Sequence, residues 1–169
     1  MCGIAGYVDY KRAEAHREEL RKMTEVIVHR GPDSVGYYED EAVGLGFRRL
    51  SIIGITNGQQ PILNETGSMV LTFNGEIYNY ASIREELREK GHVFTTDSDS
   101  EVILHGFEEY GQEILARLRG MYCFVIWDIK KKSLFAARDG FGIKPFYYTR
   151  PSFGNQVDFT AFLGKERVK

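Results

Sequence analysis

Short apolar runs broken by turn residues follow one another along most of this chain, and helix-length patterns interrupt them at only a few points. Strands met in succession pair antiparallel through short connections, whereas a doubly wound parallel sheet needs strands and helices in alternation. Strand-like runs fall at residues 3–8, 35–38, 42–47, 51–55, 69–73, 121–128, 133–138, 146–149 and 157–162. Residues 13–29 read as a helix, because Leu20, Met23 and Ile27 recur at helical spacing among charges, and Pro32 forbids its continuation through Gly31. A second helix is expected over 81–90, with Ser82-x-x-Glu85 as a capping box and Gly91 as its stop. A third opens at the Ser98-x-x-Glu101 box and runs to Tyr110, and a short helix follows over 112–118. Asn57-Gly58 marks a turn. About nine short strands and three main helices suit an α+β fold of two antiparallel sheets packed face to face with helices outside.

Composition narrows the function. At 169 residues the chain fits one domain with a core of its own. Its 22 basic and 24 acidic residues leave a net charge of −2, without the basic surface that a nucleic-acid partner demands. The longest apolar run, 121–127, is far below the ~20 residues that span a bilayer, so no membrane partner is expected. Asp9, Lys11 and Arg12 arrive too early for a secretory signal. Two cysteines make no disulfide framework, and the chain reads as cytoplasmic.

One of those cysteines is residue 2. An initiator methionine before a small residue is normally trimmed, which gives Cys2 a free α-amine beside its thiol. Such a residue can supply both nucleophile and base. The plain alternative is a small buried thiol near the start of the chain. Asn74-Gly75-Glu76 follows an apolar strand, and a side-chain amide with a glycine N–H can serve as two donors to an oxyanion. Asn-Gly is equally the commonest hairpin turn. In Arg48-Arg49-Leu50-Ser51, one arginine can clamp a carboxylate or merely sit exposed at a strand end. In Asp97-Ser98-Asp99-Ser100-Glu101, acids at a helix start complement its dipole, and Asp99 can alternatively take an ammonium group. Arg138-Asp139 is a candidate ion pair fastening the turn-rich stretch that follows it. The four histidines, His16, His29, His92 and His105, show no metal-ligand spacing, and His105 reads as structural. No phosphate-binding glycine loop is present in the sequence.

Taken in order, these runs resemble the glutaminase domain of class II glutamine amidotransferases, in the asparagine synthetase (glutamine-hydrolysing) branch. The resemblance rests on Met1-Cys2-Gly3-Ile4-Ala5-Gly6, His29-Arg30-Gly31-Pro32-Asp33, Arg49-Leu50-Ser51-Ile52-Ile53, Gln60-Pro61, Phe73-Asn74-Gly75-Glu76-Ile77-Tyr78-Asn79, Ser98-Asp99-Ser100-Glu101-Val102-Ile103-Leu104, Leu118-Arg119-Gly120-Met121 and the stretch 137–148. Each run alone is weak, and the ordered series is specific. It implies an N-terminal-nucleophile four-layer α-β-β-α sandwich. It also implies that Cys2 attacks the amide of L-glutamine, with its own α-amine as base. Asn74 and the Gly75 N–H would hold the oxyanion and Arg49 the substrate carboxylate. Asp99 would take the amino end, helped by Glu76 and the main chain of Leu50, Ser51, Ile52 and Ile53. The products would be glutamate and ammonia, without a cofactor in this chain.

The family's ATP- and Mg-dependent synthetase domain, with its Ser-Gly-Gly loop, is not found in these 169 residues. The expected reaction is therefore glutamine hydrolysis rather than asparagine formation, with a separate synthetase chain or domain accepting the ammonia. Phe47, where the family usually has histidine, and Gly54, where it usually has an acid, depart from the pattern, and the match fades after Tyr148. Phe47 and the altered C-terminal stretch keep a second reading open, a catalytically silent binding or regulatory module of the same fold. A third, an N-terminal nucleophile acting on another amide, fits poorly with the Arg49–Asp99 pairing, which demands an amino-acid-like substrate.

Overall fold

The computed structural model describes residues 2–11, 16–50 and 58–149 in full, and the backbone of 159–163 and 166–168. Two sheets form the centre. The first holds β1 (Gly3–Val8), β2 (Ser34–Glu39) and β3 (Val43–Arg49) in the order β1-β3-β2. The second holds β4 (Ile62–Leu63), β5 (Met69–Ile77), β6 (Gly120–Asp128), β7 (Ser133–Arg138), β8 (Phe159–Leu163) and β9 (Glu166–Val168) in sequential order. Every pairing is antiparallel except β7 with β8. Helix α1 (Arg17–Val26) covers the first sheet, and α2 (Tyr80–Glu89), α3 (Glu101–Tyr110) and α4 (Ile114–Arg117) cover the second.

Strand alternation sorts the side chains into layers. On β5, β6 and β7 one parity (Leu71, Phe73, Tyr122, Phe124, Ile126, Phe135) packs against the helices with Leu87, Ile103, Leu104 and Ile114. The other parity (Val70, Val125, Trp127, Leu134, Ala136) faces Val43 and Leu45 of β3 across the gap between the sheets. Helix, sheet, sheet and helix thus stack as four layers, as expected. Period two also decides which functional residues point inward: Asn74 and Glu76 share the parity of Val70, and Arg49 shares that of Val43 and Leu45.

Several local expectations are revised. Asn74-Gly75 is no hairpin turn, because β5 continues through it to Ile77 with Asn74 opposite Cys123 and Gly75 opposite Tyr122. A Cβ on Gly75 would lie 2.2 Å from the Met121 carbonyl oxygen, so glycine is what lets β5 and β6 approach here. Neither capping box forms. Helix α2 starts earlier, at Tyr80, and the Ser82 hydroxyl donates to the Asn79 carbonyl at 3.0 Å. Asn79 itself joins α2 to α4, accepting from the Arg119 N–H and donating to the Arg117 carbonyl, both at 2.9 Å. Helix α3 starts at Glu101, whose carboxylate reaches back to Thr95 and Thr96 instead of capping toward Ser98.

Residues 146–149 form no strand. The expected 157–162 strand is β8, shifted to Phe159–Leu163, and the short β4 and β9 were not anticipated. Helix α1 is shorter than the 13–29 expectation and passes into a 3-10 turn at Val28–Arg30. Residues 112–118 split into a 3-10 turn, Gly111–Glu113, and α4. The 51–55 strand and Asn57 lie outside the described residues.

Candidate active site

One cleft of about 120 Å³ opens at the edge of the inter-sheet space. Cys2, Arg49, Leu50, Asn74, Gly75, Glu76 and Asp99 line it, together with Phe47, Gln60, Ser98 and Lys144. Every predicted site residue that the structure describes is there; Ser51, Ile52 and Ile53 lie outside the described residues.

Cys2 stands one residue before β1, beside the end of β3. The Leu50 N–H points at its sulfur at 3.4 Å, and the sulfur lies 3.5 Å from the Leu50 carbonyl. Arg30 donates from Nε to the Cys2 carbonyl at 3.2 Å, which fixes the main chain that carries this thiol. Gly31 explains how Arg30 gets there. A Cβ on Gly31 would meet the Arg48 carbonyl carbon and oxygen at 2.4 Å, so only glycine lets this turn lie against β3. The Asp33 N–H then bonds the Arg49 carbonyl at 3.0 Å.

The two neighbouring arginines separate by parity. Arg48 points outward, donating to the Thr24 carbonyl at 3.1 Å and pairing with Glu25 on α1. Arg49 points inward, is 5% exposed and borders the cleft. Its guanidinium is the group suited to a carboxylate, which it can hold through two parallel N–H bonds.

Asn74 is buried on the inner face of β5, opposite Cys123 on β6. Burial pushes the Cys123 thiol up to about 11, against the opposing influence of Asn74, Lys144 and Arg30. The strand edge beside Asn74 is held by Gln60, whose amide accepts from the Phe73 N–H at 2.6 Å and donates to the Phe73 carbonyl at 3.1 Å. Gln60 thereby mimics a neighbouring strand and keeps Asn74 and Gly75 in register.

Asp99 does not cap α3. Its carboxylate instead accepts from the Ile77 N–H at the end of β5, at 2.8 Å. Burial raises its pKa, and the nearby Glu76 charge adds to this against the Ile77 hydrogen bond. The loop carrying Asp99 is tied down from both sides. Arg84 of α2 donates to the Thr96 carbonyl at 3.0 Å and the Ser98 carbonyl at 2.7 Å. The Glu101 carboxylate takes the N–H and hydroxyl groups of Thr95 and Thr96, at 2.7 to 2.9 Å.

Lys144 was missed as a site residue, although it belongs to the 137–148 run. It is 4% exposed and borders the cleft. The expected Arg138–Asp139 ion pair is not among those formed by the described residues. The Asp139 carboxylate accepts instead from the N–H groups of Tyr122, Phe141, Ile143 and Lys144, at 2.9 to 3.3 Å. Burial would raise its pKa, but these backbone donors outweigh burial and lower it. Asp139 thus winds the turn that delivers Lys144. The cleft therefore joins a thiol, amide donors, two cations and two carboxylates, an electrostatic match for a small zwitterion with an amide side chain.

Comparison with known proteins shows the family of the chain. Asparagine synthetase [glutamine-hydrolyzing] 1 of Bacillus subtilis is 51% identical over 164 residues, covering 95% of this chain and 26% of that protein. Asparagine synthetase [glutamine-hydrolyzing] 3 of Arabidopsis thaliana is 44% identical over 150 residues, covering 87% of this chain and 25% of that protein. The chain spans about a quarter of the length of these curated relatives. Among solved structures, glutamine phosphoribosylpyrophosphate amidotransferase from B. subtilis shares the fold, with a TM-score of 0.63 and 21% identity, over 85% of this chain and 38% of that one. The model of the glutamine amidotransferase domain matches residues 1–163. Across nearly its whole length, then, this chain belongs to the glutamine amidotransferase domain family.

Proposed function

We propose that the chain is the glutaminase domain of an asparagine synthetase-like glutamine amidotransferase, hydrolysing L-glutamine to glutamate and ammonia. The observation that carries this is the cleft itself, which Cys2 beside the first sheet and Asn74 and Gly75 from the second line together, while Arg49 and Asp99 supply opposite charges. Arg49 takes the α-carboxylate of glutamine and Asp99, with Glu76, its α-ammonium. The side-chain amide is then presented to Cys2. The Cys2 thiolate adds to the amide carbon, its proton having passed to its own α-amine, once Met1 is removed. Asn74 and the Gly75 N–H take the charge that develops on the amide oxygen. Collapse breaks the C–N bond, the α-ammonium returns its proton to the leaving nitrogen, and ammonia departs. Water, deprotonated by the same amine, hydrolyses the thioester to glutamate and restores the thiol.

The names of the relatives point to a synthetase domain as the acceptor of the ammonia, in the same chain or in a separate one. The silent-module reading has no structural support. Phe47, its main sequence argument, is a 1% exposed residue that borders the cleft beside Arg49 without filling the place of any proposed group.

The test is an assay of glutamate release by protein whose free Cys2 amine is verified by intact-mass spectrometry. Turnover should vanish in Cys2→Ala, and kcat should fall by about 10²–10³ in Asn74→Ala. A protein with its α-amine exposed and no turnover above the Cys2→Ala background would overturn the proposal.

A further inference from the structure

Four side chains with no part in the glutamine chemistry converge on the side of α3 facing the β4–β5 turn. Glu65 comes from that turn, His92 from the segment after α2, and His105 and Glu108 from α3. One ligand atom of each lies within 4.8 Å of all the others. His105 Nδ1 is 2.9 Å from Glu108 Oε2 and 3.4 Å from Glu65 Oε2. The His92 and His105 rings have centroids 5.2 Å apart. Linear spacing gives no hint of this set, because three separate segments bring it together.

The donor chemistry is specific. Two imidazoles and two carboxylates make an N₂O₂ set, which zinc takes in tetrahedral geometry at about 2.0–2.2 Å per bond. Ligand atoms around such an ion stand about 3.4 Å apart, and the His105–Glu65 pair already does. Glu65 has a side chain 35% exposed, and His92 sits on the segment after α2, where its Nε2 also faces Glu109 Oε2 at 3.4 Å, a partner the ion would have to displace. The inner members are built in. The His105 side chain is 2% exposed. Its other nitrogen, Nε2, faces Glu101 Oε1 at 3.9 Å, and Glu101 is itself fixed by Thr95 and Thr96. The second oxygen of Glu108 takes the Asn64 amide at 2.5 Å. An outer amide that hydrogen-bonds a ligating carboxylate, as Asn64 does here, is a common support of metal ligands.

We propose that Glu65, His92, His105 and Glu108 bind a zinc-type divalent cation. Four protein ligands close the coordination shell, so the site is structural and leaves no position for substrate. The ion fastens α3 to the β4–β5 turn and to the end of α2. Glu101, which lies between His105 and the Thr95–Thr96 backbone, extends the fastening to the loop that holds Asp99.

The test uses chelator-stripped full chain carrying Cys2→Ala, so that the cleft thiol cannot compete for metal. Calorimetric titration with zinc should give one ion per chain, and cobalt should show the intense visible bands of a four-coordinate ion. Zinc should raise the Tm of this protein. Glu65→Gln and His92→Gln alter partly exposed positions and leave the metal-free fold intact by circular dichroism. Each should weaken zinc binding by more than the about 10–100-fold that loss of an outer-shell partner costs. Absence of stoichiometric binding, a six-coordinate cobalt spectrum, or affinity unchanged in both variants would overturn the site.

Discussion

Asp99 holds a carboxylate where burial works against its charge. Its carboxylate is buried close to Glu76, with the Ile77 N–H as its hydrogen-bond donor from β5, and burial holds its pKa above the usual range. A group with a raised folded-state pKa stabilises the fold fully below its ordinary value, and that contribution is lost as pH rises through the folded value. At neutral pH the charged form is therefore a liability, which under the proposed function a substrate ammonium would relieve. Asp99→Asn should raise stability by about 1 kcal/mol at pH 7 while glutamine KM climbs steeply. The gain should shrink as pH falls and wild-type Asp99 takes up its proton. In the wild type, KM should rise on acidification at a pH above the ordinary carboxylate range, a trend the variant lacks. Thermal denaturation and initial rates over a pH series check both; an Asn variant less stable than wild type at pH 7 would contradict the account. Parity makes a related point for Arg48 and Arg49, which are indistinguishable in sequence. One residue of register sends the first to Glu25 on α1 and the second into the cleft.

At the scale of elements, the Asp139 turn has the most to lose from one substitution. Four backbone N–H groups depend on a single carboxylate that is 2% exposed. Asp139→Ala should cost about 3 kcal/mol, read as a lower urea midpoint at unchanged m value, and should also weaken glutamine binding by releasing Lys144. Because its pKa is depressed, the stabilisation it gives is present above the ordinary carboxylate range and is lost as pH falls through the folded value. The wild type and variant should therefore converge in stability in acid. Elements with strong local patterns were legible: β1 and β7 begin and end where their apolar runs do, and α3 ends at Tyr110 as its periodicity requires. Both helix starts were misplaced, because Ser82 and Glu101 bond groups outside the capping pattern that local spacing suggests. The proposed catalytic set was legible only as an ordered family series, since each run has an innocent local reading. Arg30, Gln60 and Lys144 stood in the family runs without an assigned role, because their roles arise from contacts across the fold, such as Gln60 standing in for a strand beside Phe73.

The whole molecule hangs on the layer between the sheets, and its single tryptophan lies in it. Trp127 is fully buried, packs with Val70 and Val125, and donates from Nε1 to Asp40 at 2.6 Å. Asp40 in turn caps the β2–β3 turn through the Ala42 and Val43 N–H groups, so the tryptophan joins the two sheets. Trp127→Ala should cost about 3–5 kcal/mol and loosen the cleft along with the fold, measured by chemical denaturation with circular dichroism. The same layer seals the second thiol. Cys123, 3% exposed, is held in its neutral form by burial, while Cys2 borders the open cleft. A thiol reagent at neutral pH should count one fast equivalent in the native protein and two after denaturation. The slow second equivalent then acts as a clock: its rate records how often the sheets part in unstressed protein, an opening that steady-state turnover never samples.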